Sequence, residues 1–133
     1  MSKTRTASCG CGALTATCTG EPTRRSVCHC HSCQRRTGSA FSLNATWPAG
    51  QVRIDGDSTV FTRTSEDGFW GRHHFCPTCG TTLFWEIERR PGEIYVAVGA
   101  FADGSFPEPQ VSVYREFGHP WIRVETKEPI EEQ

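Results

Sequence analysis

Seven of the eight cysteines stand in three tight groups: Cys9 with Cys11, Cys28 with Cys30 and Cys33, and Cys76 with Cys79. Thiolates drawn this close repel one another unless a cation neutralises them, so any fold open to this chain has to gather cations at these points. The first 25 residues contain no apolar run long enough for a signal peptide, and no later run is long enough to span a bilayer, so the expected compartment is the cytoplasm. Disulfides do not persist in a reducing compartment, which leaves metal binding or redox chemistry as the physical reason for so many cysteines. Zinc is the natural cation, being soft enough for sulfur, redox-silent and content with tetrahedral geometry.

At 133 residues the chain suits one domain with a modest core. Formal net charge is -1, from 14 basic and 15 acidic side chains scattered along the chain. That distribution leaves no electrostatic footprint for nucleic acid or an anionic membrane, and a small solute is the expected partner. Turn signals recur at strand-sized intervals, among them "TGEP" at 19–22, "WPAG" at 47–50, "DGD" at 55–57, "RPGE" at 90–93 and "FADGSFPEP" at 101–109. Between them lie segments rich in branched and aromatic residues, and Ile94, Val96 and Val98 alternate as in a strand with one buried face. The pattern predicts a mainly β fold, with at most a short helical turn from about Ser32 to Thr37. One domain is expected over residues 1–124, followed by a polar, mobile tail over 125–133.

The "CPTCG" at 76–80 is the most specific local signal. Two cysteines three apart around a tight turn aim both sulfurs at one ion, and Gly80 permits the positive φ such a knuckle needs. On an extended backbone Cys9 and Cys11 would share a face, so this pair can supply two further ligands. Four thiolates from Cys9, Cys11, Cys76 and Cys79 would then close a structural site that clamps the start of the chain to its later half. Spacing alone also permits other pairings, for instance Cys28 and Cys30 with the knuckle.

With that first assignment, Cys28, Cys30 and Cys33 remain, and three protein ligands with an open fourth position form the pattern of a reactive zinc. An extended "CHCHS" would put Cys28 and Cys30 on one side and His29 and His31 on the other, with a turn at Ser32 returning Cys33. A histidine could instead close the site and leave a stapled loop. Three thiolates make the zinc a weak Lewis acid toward water, so the expected guest is another soft ligand, an external thiol that loses its proton near neutral pH.

Read together, "SCGCGAL" at 8–14, "CHCHSCQRRTGSAF" at 28–41 and "FCPTCGTTLFW" at 75–85 resemble the glutathione-dependent formaldehyde-activating (GFA) enzyme family, along with Gly38, Pro120 and Trp121. The resemblance implies a β-tent-like fold of small packed antiparallel sheets. It also implies a structural zinc on Cys9, Cys11, Cys76 and Cys79 and a catalytic zinc on Cys28, Cys30 and Cys33, two ions per chain. The implied activity is the condensation of glutathione with formaldehyde to S-(hydroxymethyl)glutathione, formally the reverse of a carbon-sulfur lyase. Arg35 and Arg36, just beyond the third cysteine, are the expected contacts for the carboxylates of glutathione. Trp47, Phe69 and Trp70 are candidates for a pocket wall or for plain core packing. Two other classes compete: a non-catalytic module with two structural zincs, and a thiol redox enzyme that would have to use Cys18, the one cysteine outside the clusters.

Overall fold

A computed structural model describes residues 3–65 and 67–127, and the backbone alone of 130–132. The strands are β1 (Thr4–Ser8), β2 (Thr15–Thr19), β3 (Arg24–Cys28), β4 (Ser42–Pro48), β5 (Val52–Asp55), β6 (Thr59–Thr64), β7 (Trp70–Phe75), β8 (Thr82–Ile87), β9 (Glu93–Ala97), β10 (Val111–Val113) and β11 (Ile130–Glu132). One α-helix, α1 (His31–Thr37), follows β3, and 3-10 turns cover Ala49–Gln51, Val98–Phe101 and Arg115–Phe117. The mainly β expectation holds, and the predicted helical turn is α1.

Two sheets form. The smaller has the order β1-β2-β5 and the larger β11-β10-β3-β4-β9-β8-β7-β6. The larger sheet is mixed rather than purely antiparallel, because β10 runs parallel to both β3 and β11. Parallel neighbours need a long return connection, and the stretch between β10 and β11 supplies one. The sequence expects a mobile tail over 125–133; within it the backbone of 130–132 lies beside β10, while residues 128, 129 and 133 fall outside the described residues.

Alternation along the strands separates the two faces of the large sheet. Ala45 and Trp47 of β4, Leu83 and Phe84 of β8 and Val96 of β9 join Ala7, Leu14, Ala16 and Cys18 of the small-sheet region in the main core. Trp47 is fully buried there and its indole N–H donates to the Gly20 carbonyl at 2.9 Å, so it serves the core rather than a pocket. The intervening residues face the other way. Register pairs Ser26 with Asn44, Arg24 with Thr46, Trp85 with Tyr95, His73 with Trp85, and Arg63 with Gly71. These residues share the second face of the large sheet, and most of them line a single cavity.

Candidate active site

The first cluster is built from two turns. Cys9 follows β1 and opens the β1–β2 connection, where its N–H donates to the Leu14 carbonyl and Gly12 adopts φ 84°. Cys9 and Cys11 therefore sit on a tight turn, not on the extended strand expected, and the turn brings their sulfurs to 3.7 Å. The knuckle between β7 and β8 has the predicted form: Gly80 takes φ 81° and its N–H donates to the Cys76 carbonyl at 2.8 Å. Cys11 and Cys76 sulfurs are also 3.7 Å apart, and the Leu14 N–H donates to Cys9 Sγ at 3.2 Å. The four sulfurs all lie within 4.8 Å of one another.

The second cluster is local. β3 ends at Cys28, Cys30 caps α1, and Cys33 lies in its first turn, where its N–H donates to Cys30 Sγ at 3.3 Å. Gly38 ends the helix in the left-handed region and donates to the Gln34 carbonyl. Helix capping thus does what the expected turn at Ser32 was to do, and Cys28 and Cys30 sulfurs come to 3.4 Å. His29 is turned away, its Nε2 3.1 Å from Ser112 Oγ, and His31 is exposed against the Phe117 ring. Neither histidine joins the sulfur cluster.

Both groups fit zinc by chemistry and by spacing. A zinc ion about 2.3 Å from each of its thiolates sets tetrahedral sulfurs about 3.8 Å apart, close to the separations observed. Without a cation the buried trio resists full ionisation. Hydrogen bonds with Cys30 and Cys33 keep the Cys28 thiol protonated, whereas those from Cys28 and Cys30, with Arg36 nearby, hold Cys33 far below the ordinary thiol range.

All three cysteines of the second cluster line a cavity of about 290 Å³ on the second face of the large sheet. Its floor is the β3 row Arg24, Ser26 and Cys28, joined by Asn44 across the strand. Its walls carry Phe69, Trp70, Trp85, Tyr95 and Tyr114, together with Arg63, Arg89 and Arg90. Phe69 and Trp70 are therefore wall residues. Asp67 is the one acidic lining residue among those described, and it is already engaged: Tyr114 Oη and Arg89 Nη1 each donate to its Oδ2 at 2.6 Å. The bonds from Ser65 and Tyr114 keep its carboxyl below the usual range, so the carboxylate stays charged and the cavity as a whole is cationic.

Arg35 and Arg36 do not line the cavity. The helix carries Arg35 outward, where it is exposed, and folds Arg36 back onto Trp85, 4.1 Å from the ring centroid. Cys18 is fully buried in β2, and burial pushes its thiol up to about 12, which leaves it packed and unreactive. The cavity arginines were missed because they come from three separate segments, β3, β6 and the β8–β9 turn. The alternation Arg24-Ser26-Cys28 was legible, since residues two apart on a strand share the face of the cysteine.

A family model described as glutathione-dependent formaldehyde-activating enzyme matches residues 4–116. The chain belongs to the GFA family. A crystal structure of a Rhodobacter sphaeroides protein is similar in fold, with a TM-score of 0.59 and 20% identity over 96% of this chain and 99% of that one. The mainly β architecture and the two cysteine clusters are those the GFA resemblance implies. No helix among the described residues of this GFA protein is long and apolar enough to cross a membrane.

Proposed function

We propose that the chain is a zinc-dependent enzyme joining glutathione, or a related small thiol, to formaldehyde or another small aldehyde as an S-hydroxymethyl adduct, and in reverse a carbon-sulfur lyase. The observation that carries this reading is the placement of Cys28, Cys30 and Cys33 in the lining of a cationic cavity, to which none of Cys9, Cys11, Cys76 and Cys79 contributes. Cys9, Cys11, Cys76 and Cys79 are assigned to a structural zinc and Cys28, Cys30 and Cys33 to a catalytic one. Zinc held by three thiolates supplies a soft centre at which an added thiol is deprotonated near neutral pH.

The chain's own residues do the rest. Arg24, Arg63, Arg89 and Arg90 suit the two carboxylates of glutathione, which arginine recognises through charge-assisted hydrogen bonds. Ser26 and Asn44, beside Cys28 on the cavity floor, face the amide groups of a peptide thiol. The aromatic walls exclude water and hold the thiol near the aldehyde, so the gain comes from thiolate population and proximity. Overall the carbon-sulfur bond forms at the carbonyl carbon and the thiol proton ends on the carbonyl oxygen. The cytoplasm is the setting that keeps such thiols reduced.

The test is glutathione affinity and the rate of hemithioacetal formation for zinc-loaded parent and Cys33→Ser. Binding and acceleration in the parent, both lost in the variant, are expected. A parent that binds no glutathione, or leaves the spontaneous rate unchanged, contradicts the reaction.

A further inference from the structure

Arg36 is placed unlike a substrate-facing arginine. Its Nη2 lies 3.9 Å from Cys33 Sγ and its guanidinium lies 4.1 Å from the Trp85 ring centroid, a contact that fixes the charge beside the sulfur. Its Nε is buried without a hydrogen-bond partner, and no acidic side chain pairs with it among the described residues. His73 stacks against the same indole at 5.6 Å and is buried and neutral, its pKa lowered to about 3 by burial and by the charges of Arg36 and Arg63. The cationic side of the trio is thus built from Arg36, with Arg63 further along the cavity face.

The charge count gives this placement a purpose. Three thiolates on a divalent cation leave one net negative charge, and a fourth thiolate makes two. At the four-cysteine cluster Cys11 and Cys79 are exposed residues, so water is at hand to screen that excess. Cys28, Cys30 and Cys33 are all buried, where an uncompensated charge is expensive, so a cation from the protein has to take the place of solvent. We propose that Arg36 is the specificity-determining residue of the three-cysteine site, a fixed counter-charge that makes the site take an anionic sulfur in preference to a neutral donor as its fourth ligand. This rests on the reading that the site accepts an external thiol. It assigns Arg36 to the reacting sulfur instead of to the carboxylates of glutathione.

The experiment uses the full chain loaded with zinc, or with cobalt for its absorption bands, and titrates glutathione, 2-mercaptoethanol and imidazole into the parent, Arg36→Gln and Arg36→Lys. In Arg36→Gln both thiols weaken about 10- to 100-fold while imidazole is unchanged, and Arg36→Lys keeps most of the preference for thiols. Metal content stays the same in all three proteins. Equal weakening of imidazole and thiols, loss of glutathione but not 2-mercaptoethanol binding, loss of the metal from Arg36→Gln, or an Arg36→Lys as unselective as Arg36→Gln would each overturn the assignment while leaving the thiol reading standing. A parent that takes up imidazole but no thiol overturns both.

Discussion

The four-cysteine cluster draws its sulfurs from turns far apart in the chain, Cys11 and Cys76 being separated by 65 positions, and two of its cysteines are exposed. The three-cysteine cluster is assembled within residues 28–33, every sulfur is buried, and a cavity opens against it. Where ligands are distant in sequence, a bound ion closes a long loop and its binding energy becomes folding energy. Where they are adjacent, the loop is already closed by α1 and its caps, so an ion bound there is not needed to close it. Shared ligand type therefore says less about role than where in the chain the ligands come from and what lies beyond them.

The comparison breaks most visibly with one cysteine from each cluster. Cys76→Ser should abolish cooperative thermal unfolding, because zinc bound by four thiolates contributes on the order of 10 kcal/mol, comparable with the whole stability of a small domain, about 5–15 kcal/mol. Cys33→Ser should melt cooperatively close to the parent and carry one zinc fewer. Circular dichroism melts with metal analysis read both, and similar melting of the two variants would end the distinction.

A second effect sharpens the reading of the cavity. Arg63→Gln should weaken glutathione roughly 10- to 100-fold, the worth of a charge-assisted hydrogen bond, and leave 2-mercaptoethanol alone. That is the reverse of the pattern expected at Arg36, and calorimetric titration distinguishes the two.

Much of this layout was legible beforehand, and the remainder was hidden for definite reasons. Gly80 and the knuckle spacing are local, so the positive φ and the paired sulfurs followed from a few residues. The pairing of Cys9 with a turn instead of a strand was hidden because "CGCG" fits either backbone until Leu14 supplies its carbonyl and N–H. The parallel alignment of β10 with β3 depends on a return over most of the chain, which no short window records. Arg24, Arg63, Arg89 and Arg90 meet only through the register of the six strands from β3 to β6 in the large sheet and their turns, whereas Arg35 and Arg36 stand out in the sequence simply because they follow the cysteines.

Asn44 separates stability from binding at the cavity floor. Its Oδ1 is buried without a partner, so Asn44→Leu should stabilise the fold by about 1 kcal/mol. The same change should weaken glutathione several-fold more than 2-mercaptoethanol. Thermal shift and ligand titration on one sample give both signs, and a destabilised variant with unchanged affinity would assign Asn44 to packing.

The smallest expected effect concerns acid. The folded pKa of His73 is depressed to about 3 from 6.5, so the unfolded chain binds the extra proton and the neutral ring's contribution, complete above pH 6.5, is lost as pH falls toward 3. Relative to His73→Phe, which keeps a ring against Trp85, the parent should lose under about 1 kcal/mol by pH 6 and more below it. Denaturant unfolding of both proteins at pH 7 and pH 6 measures the difference, and parallel pH dependence would show that the ring protonates freely in the fold.

Zinc K-edge absorption of the two-zinc protein, recorded before and after glutathione is added, bears directly on the contrast between a closed and an open sulfur shell. A closed four-sulfur site beside an open three-sulfur one predicts an average that rises by about half a sulfur per zinc on addition of the thiol. Four sulfurs per zinc from the outset, a nitrogen ligand that persists, or an average that glutathione does not change would contradict it.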